Sequence, residues 1–243
     1  MNQPEDPQDD NIIRLPSKAE RAKMDAEKKK AAARTDHVPL INLPPFTKFM
    51  LLSFLALHIL TDVILPPPQQ FWVFTHFGFV PAYYSGTAPG GWAAFAGPFT
   101  FTFLHGNWTH MILNGLMLMA FGTGVEKWMG GKRLLVFFMC CNLLAALAQF
   151  ILDPSSTAPV IGASGGLSGL FAAVLVMMQQ QNGLGAGNRY GIWPFVLLWI
   201  VISVVFGLIG GPGNSSIAWA AHIGGFLAGF VLLKPILKSR RLD

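Results

Sequence analysis

The chain is almost empty of charge over a stretch far longer than any single buried helix. Between Phe49 and Leu233 only seven side chains are ionisable acids or bases of the Asp, Glu, Lys or Arg type: Asp62, Glu126, Lys127, Lys132, Arg133, Asp153 and Arg189. A soluble domain carries such residues at about a quarter of its positions. No water-facing surface can be built from so few, so lipid is the natural solvent for most of this chain. Over all 243 residues, 52% are hydrophobic and 12% charged. The net charge of +5 gathers at the two ends and in short turns, which is a signature of membrane topology rather than of nucleic-acid binding.

Apolar runs near the length that crosses about 30 Å of hydrocarbon recur six times. The expected spans are 49–65, 108–128, 133–152, 160–178, 192–209 and 216–237, the first closed by Pro66-Pro67-Pro68. This pattern predicts an all-α polytopic membrane protein with six transmembrane helices. Basic residues then set the orientation. They occur in the tail, in the turn with Lys127, Lys132 and Arg133, at Arg189, and at Lys234, Lys238, Arg240 and Arg241. The three intervening loops have none. The alternation predicts that both termini face the cytoplasm.

Two domains are expected. Residues 1–47 are expected to form a polar, disordered cytoplasmic tail, dense in acids, bases and alanine over 17–34 and solvated, with a transient helix as the alternative. It has no apolar h-region of a cleavable signal peptide, and its acids argue against a transit peptide. Residues 48–238 form the membrane domain. The loop 66–107 is uncharged and aromatic, with Phe71, Trp72, Trp92 and Phe95 among its rings. It is expected to lie partly in the outer interface or to pack over the bundle. Cys140 and Cys141 are neighbours in an apolar run and read as packing residues.

The chemistry gathers at one depth. Spans 2, 4 and 6 all enter from the outer side. They carry His110 and Asn114, then Ser164, then His222, all within about 10 Å of the outer face at 1.5 Å per residue. Each has a structural alternative: serine as a packing residue, histidine as an interhelical partner, His-Asn as local glue. Together they meet the needs of acyl transfer. Ser164 can be the nucleophile and His222 its base. His110 and Asn114 share a helix face and could donate to an oxyanion, with the Ser164 backbone N–H. Gly165-xxx-Gly169 on span 4 and Ala221-xxx-Gly225-xxx-Gly229 on span 6 would let these helices approach closely.

Four motifs lie in order on these spans: His105-xxxx-His110-xxx-Asn114, Phe121-Gly-xx-Val125-Glu126, Gly162-Ala163-Ser164-Gly165 and Ala221-His222-Ile223-Gly224-Gly225. In these the chain resembles the rhomboid family of intramembrane serine proteases, over about 49–237. The resemblance implies a six-helix rhomboid-like bundle, a Ser164–His222 dyad without an obligatory acid, and an oxyanion site at His110 and Asn114. It implies a lateral entrance near spans 2 and 5, substrates that are single-span membrane proteins, and a structural role for Glu126. It also points to a prokaryotic inner membrane. Two positions depart from the pattern. Ala96 and Gly97 stand where some bacterial members have Trp-Arg, and Ser168 where some have an aromatic that stacks on the histidine. Ser168 is itself in a Gly-x-Ser-Gly, but lies about 6 Å deeper, farther from water, so Ser164 is the preferred nucleophile.

Other polar residues are given structural places. His58 could pair with Asp62 four residues on. Asp62 and Asp153 stay outside the catalytic set, and His105 is expected to brace the first loop. No cofactor is expected. A zinc site from His110 and His222 would lack a third ligand at their depth. Two rival functions remain, a catalytically inactive client-binding protein and a small transporter, though no internal repeat supports the latter.

Overall fold

The structure is a computed structural model, and it describes residues 16–33, 42–180, 190–209 and 218–238. Arg34, His37, Arg189, Arg240, Arg241 and the expected start of the last span at Ser216 lie outside the described residues. The chain divides into two compact units, 1–42 and 43–243.

In the first unit, α1 (Lys18–Ala33) starts with a reciprocal capping box. The Ser17 N–H donates to Glu20 Oε2 at 2.7 Å and the Glu20 N–H to Ser17 Oγ at 3.3 Å. These bonds, the one from the Ser17 backbone first, hold the Glu20 carboxyl below its usual range.

In the second unit, α2 (Pro45–His58) runs on through a π-helical segment, Ile59–Ile64. Three short helices follow, α3 (Pro67–Phe77), α4 (Ala82–Ser85) and α5 (Ala93–Thr100). Then α6 (Trp108–Met117) passes through a second π segment, Leu118–Gly122, into α7 (Thr123–Met129). The bundle is completed by α8 (Gly131–Leu152), α9 (Ser164–Gln180), α10 (Trp193–Ile209) and α11 (Trp219–Lys238).

Among the described residues three helices are long and apolar enough to cross a membrane: Pro45–Ile64, Gly131–Leu152 and Trp219–Lys238. The other expected spans are helical too: α9 and α10 have 17 residues each, and the third runs from Trp108 to Met129 through its π segment. The expected span 160–178 is corrected at its start. Residues 160–163 are not helical, because Val160 is bridged to Phe79 and Gly162 has φ +117°. Ser164 therefore opens its helix instead of sitting one turn inside it.

The core is centred on α8, α9 and α11. Leu134, Phe137, Phe138, Leu167 and Leu170 are fully buried there, with Cys141 among them as a packing residue. The small-residue stripes do meet. A Cβ on Gly225 would run into the Gly165 carbonyl, and one on Gly229 would lie 2.7 Å from the Gly169 carbonyl. At this interface backbone touches backbone, which only glycine permits.

At the start of α2, the buried Glu126 carboxylate accepts three hydrogen bonds. They come from the Phe46 N–H at 3.0 Å, the Thr47 N–H at 2.7 Å and the Thr47 hydroxyl at 2.7 Å. The first four N–H groups of a helix have no partner within it, and a carboxylate there is doubly favoured by hydrogen bonding and by the helix dipole.

The aromatic loop packs on itself and on the site. Phe79 and Val160 exchange backbone bonds of 3.0 and 2.8 Å, the Ala82 N–H donates to the Ser156 carbonyl at 2.9 Å, and the Gly162 N–H to that of Phe101 at 2.9 Å. At Ala96-Gly97 the loop is held by backbone contact. A Cβ on Gly97 would meet the Gly78 carbonyl, and the Thr100 hydroxyl donates to Phe77 O at 2.7 Å. Phe71, Trp72, Trp92 and Phe95 point away from the bundle, and Phe95 is 82% exposed. Burial of the Tyr84 phenol, whose hydroxyl donates to Ala94 O at 2.8 Å, pushes its pKa up to about 12.

Candidate active site

A cavity of about 780 Å³ opens between α6, α9, α10, α11 and the segment before α9. Its wall includes Ser164, His222, His110 and Asn114, so all four sequence-predicted residues come together. Ser164 Oγ lies 2.8 Å from His222 Nε2. The two residues stand on α9 and α11, whose backbones are in contact at Gly165 and Gly225, one residue after Ser164 and three after His222.

Ser168 is placed differently. It is fully buried and its hydroxyl donates to the Ser164 carbonyl at 2.7 Å, a bond back to the preceding turn. Its oxygen does not line the cavity.

His110 and Asn114 follow from the way α6 begins. Asn107 caps it, its Oδ1 accepting from the His110 N–H at 2.8 Å. Asn114 Nδ2 donates to the His110 carbonyl at 2.8 Å, which leaves its second N–H unused and its Oδ1 buried with no partner among the described residues. The His110 ring is pressed against Gly162: a Cβ there would lie 2.7 Å from its Cε1 and Nε2. Gly162 thus answers two demands, a left-handed backbone and room for an imidazole.

At the start of α9 the Gly166 N–H is taken by Asn142 Oδ1 at 2.9 Å, and Asn142 in turn donates to Phe138 O at 3.2 Å. The N–H groups of Ser164 and Gly165 fall in the unpaired first turn and belong to cavity-lining residues. A helix N-terminus of this kind is a ready site for developing negative charge. Asn142 and Asn107 were not singled out from the sequence, and Gly162 was named only as part of its motif. Asn142 could have been found, as the one amide in the apolar run of α8 that lies away from its ends. Gln149 of α8 and Trp199 and Ser203 of α10 also line the cavity, and Gln149 Oε1 and Trp199 Nε1 are buried without partners among the described residues.

The anticipated His58–Asp62 pair does not form. Asp62 is exposed, while His58 is fully buried and packs edge-on against Trp108 at a ring separation of 4.6 Å. Residues 59–64 form a π segment bonded from i to i+5, so the α-helical spacing on which the pair was expected does not hold there. His105 is buried against Phe54 and His110, with ring separations of 5.1 and 5.2 Å, under the end of the first loop. Among the described residues no group of three or more His, Cys, Asp or Glu has metal-binding geometry.

Residues 93–239 match the Rhomboid domain. The chain is 28% identical over 153 residues to the "Putative rhomboid protease YdcA" of Bacillus subtilis, covering 63% of this chain and 71% of that protein. It is 30% identical over 129 residues to RHOMBOID-like protein 5 of Arabidopsis thaliana, covering 53% and 40% of the two chains. With the Rhomboid protease GluP of Bacillus subtilis it shares 29% over 127 residues, 52% and 23% of the two. The matched segment thus spans less than half the length of the latter two relatives.

Proposed function

The chain belongs to the rhomboid family, and on that premise we propose that it is an intramembrane serine endopeptidase that cuts single-span membrane proteins near the outer face. It is an integral, multi-pass membrane protein. In this reading it has six spans in a membrane domain of about 48–238, with both termini and the polar tail in the cytoplasm of a prokaryotic cell and the domain in its inner membrane. The observation that carries the proposal is the 2.8 Å contact between Ser164 Oγ and His222 Nε2 at the wall of a large cavity.

The steps follow from the geometry. Ser164 Oγ attacks the scissile carbonyl carbon while His222 Nε2 takes the hydroxyl proton. The carbonyl oxygen, now negative, is held by His110, the free Asn114 N–H and the N–H groups that open α9. Collapse breaks the C–N bond, and His222 gives its proton to the leaving amine. Water then attacks the acyl-serine, again losing a proton to His222, and His222 returns that proton to Ser164 Oγ as the C–O bond breaks and the acid is released. A membrane helix satisfies its own backbone bonds, so the substrate must unwind locally before its carbonyl can reach Ser164.

The test is cleavage of a single-span substrate with helix-weakening residues near its outer end, in micelles and in proteoliposomes. Ser164→Ala and His222→Ala should each lose activity by about a thousandfold or more. A serine-directed covalent probe should label Ser164. Activity near wild type in either variant overturns the mechanism. A folded wild type that neither cleaves nor labels would instead be a client-binding protein.

A further inference from the structure

Beside the proposed oxyanion residues lies a second polar cluster that the mechanism does not use. His58, at the end of α2, and His105, before α6, are both fully buried. All four of their ring nitrogens lack a hydrogen-bond partner among the described residues. The Phe103 carbonyl lies close to His105 but outside hydrogen-bonding geometry. A neutral imidazole always presents one donor and one acceptor, so each ring has a donor and an acceptor to satisfy. Buried groups of this kind are paired in folded proteins, with protein or with ordered water.

The two ring planes are nearly perpendicular and their centroids 6.5 Å apart. That is too far for a direct bond between them, whereas nitrogens turned toward each other across this gap come within reach of one water making two bonds of about 2.8 Å. Apolar rings close the sides: Phe54 is 5.1 Å from the His105 ring and Trp108 is 4.6 Å from that of His58. Thr102, three residues before His105, is also buried with an unpartnered hydroxyl. Two polar partners flanked by apolar rings meet the minimum that a structural water needs.

We propose that His58 and His105 hold a buried water that bridges α2 to the loop before α6 and fixes the His105 ring. His105 in turn lies 5.2 Å, ring to ring, from His110. His58 is therefore a positioning residue, acting on the oxyanion site through water and His105. The positioning role rests on the protease reading, whereas the water site does not.

The test joins a wild-type crystal structure that resolves ordered water to the kinetics of two variants. Density within hydrogen-bonding distance of both rings is expected. His58→Phe, which keeps the ring volume but cannot bond to water, should lower kcat about tenfold with KM unchanged. His58→Gln, which can still bond to water, should stay within about threefold of wild type. A direct bond between the two histidines, a dry gap, or an anomalous-scattering peak of a metal between them overturns the proposal. So does equal kcat in the two variants at equal folded yield. If wild type cleaves nothing, the density alone decides the water site, and the failure belongs to the protease reading.

Discussion

The helical run from Trp108 to Met129 treats its polar side chains in opposite ways at its two ends. At one end Glu126, 6% exposed, has its carboxylate filled by two backbone N–H groups and a hydroxyl. At the other, Asn114 is just as buried, at 3% exposed, yet keeps an unpartnered oxygen and a spare N–H beside a cavity. A buried polar group with every valence engaged holds structure. One that is left partly unengaged next to open space is available for a reacting partner, and the fold must carry its desolvation cost. In the proposed mechanism the contrast separates anchoring from chemistry within one helix.

Three substitutions would break or sharpen it. Glu126→Ala should be the most damaging to the fold. It strips the α2 start of its acceptor and leaves buried donors unpaired, at a cost of about 3 kcal/mol. Unfolding in detergent should read that loss, while activity per folded molecule stays within about twofold of wild type. A larger drop in specific activity would mean that the two ends are coupled. Gly162→Ala should do the reverse. The added methyl meets the His110 ring and a backbone at φ +117°. We expect kcat/KM to fall about a hundredfold through displacement of the site, with a smaller loss of stability than in Glu126→Ala. Ser168→Ala should have the smallest effect: about 1 kcal/mol or less in stability, since only a back-bond to the preceding turn is lost, and activity within about threefold. An inactive but folded Ser168→Ala would exchange the roles assigned to the two serines.

Much of this was legible in the sequence. The scarcity of charge announced a membrane-embedded helical protein, and spacing predicted that Ser164, His222, His110 and Asn114 share one depth; in the structure the four line one cavity. The glycine stripes on α9 and α11 were readable too, because small residues at a four-residue interval have few other uses. What escaped depended on register or on long-range pairing. Nothing in the composition of Ile59–Ile64 or Leu118–Gly122 marks a π turn, so His58 was assigned the wrong neighbour. The apolar run from Val160 looked helical, but its first residues pair with Phe79, more than eighty positions earlier. The partners of Glu126 lie 79 and 80 residues away, beyond any local pattern.

That pairing of Phe79 with Val160 has a mechanical consequence. Two amide–carbonyl bonds tie a loop studded with exposed rings to the residue four positions before Ser164. The loop backbone at Phe79 and the segment that leads into α9 therefore share one hydrogen-bonded anchor. A substitution that displaces Phe79 displaces Val160 with it, four residues before the serine that opens the helix.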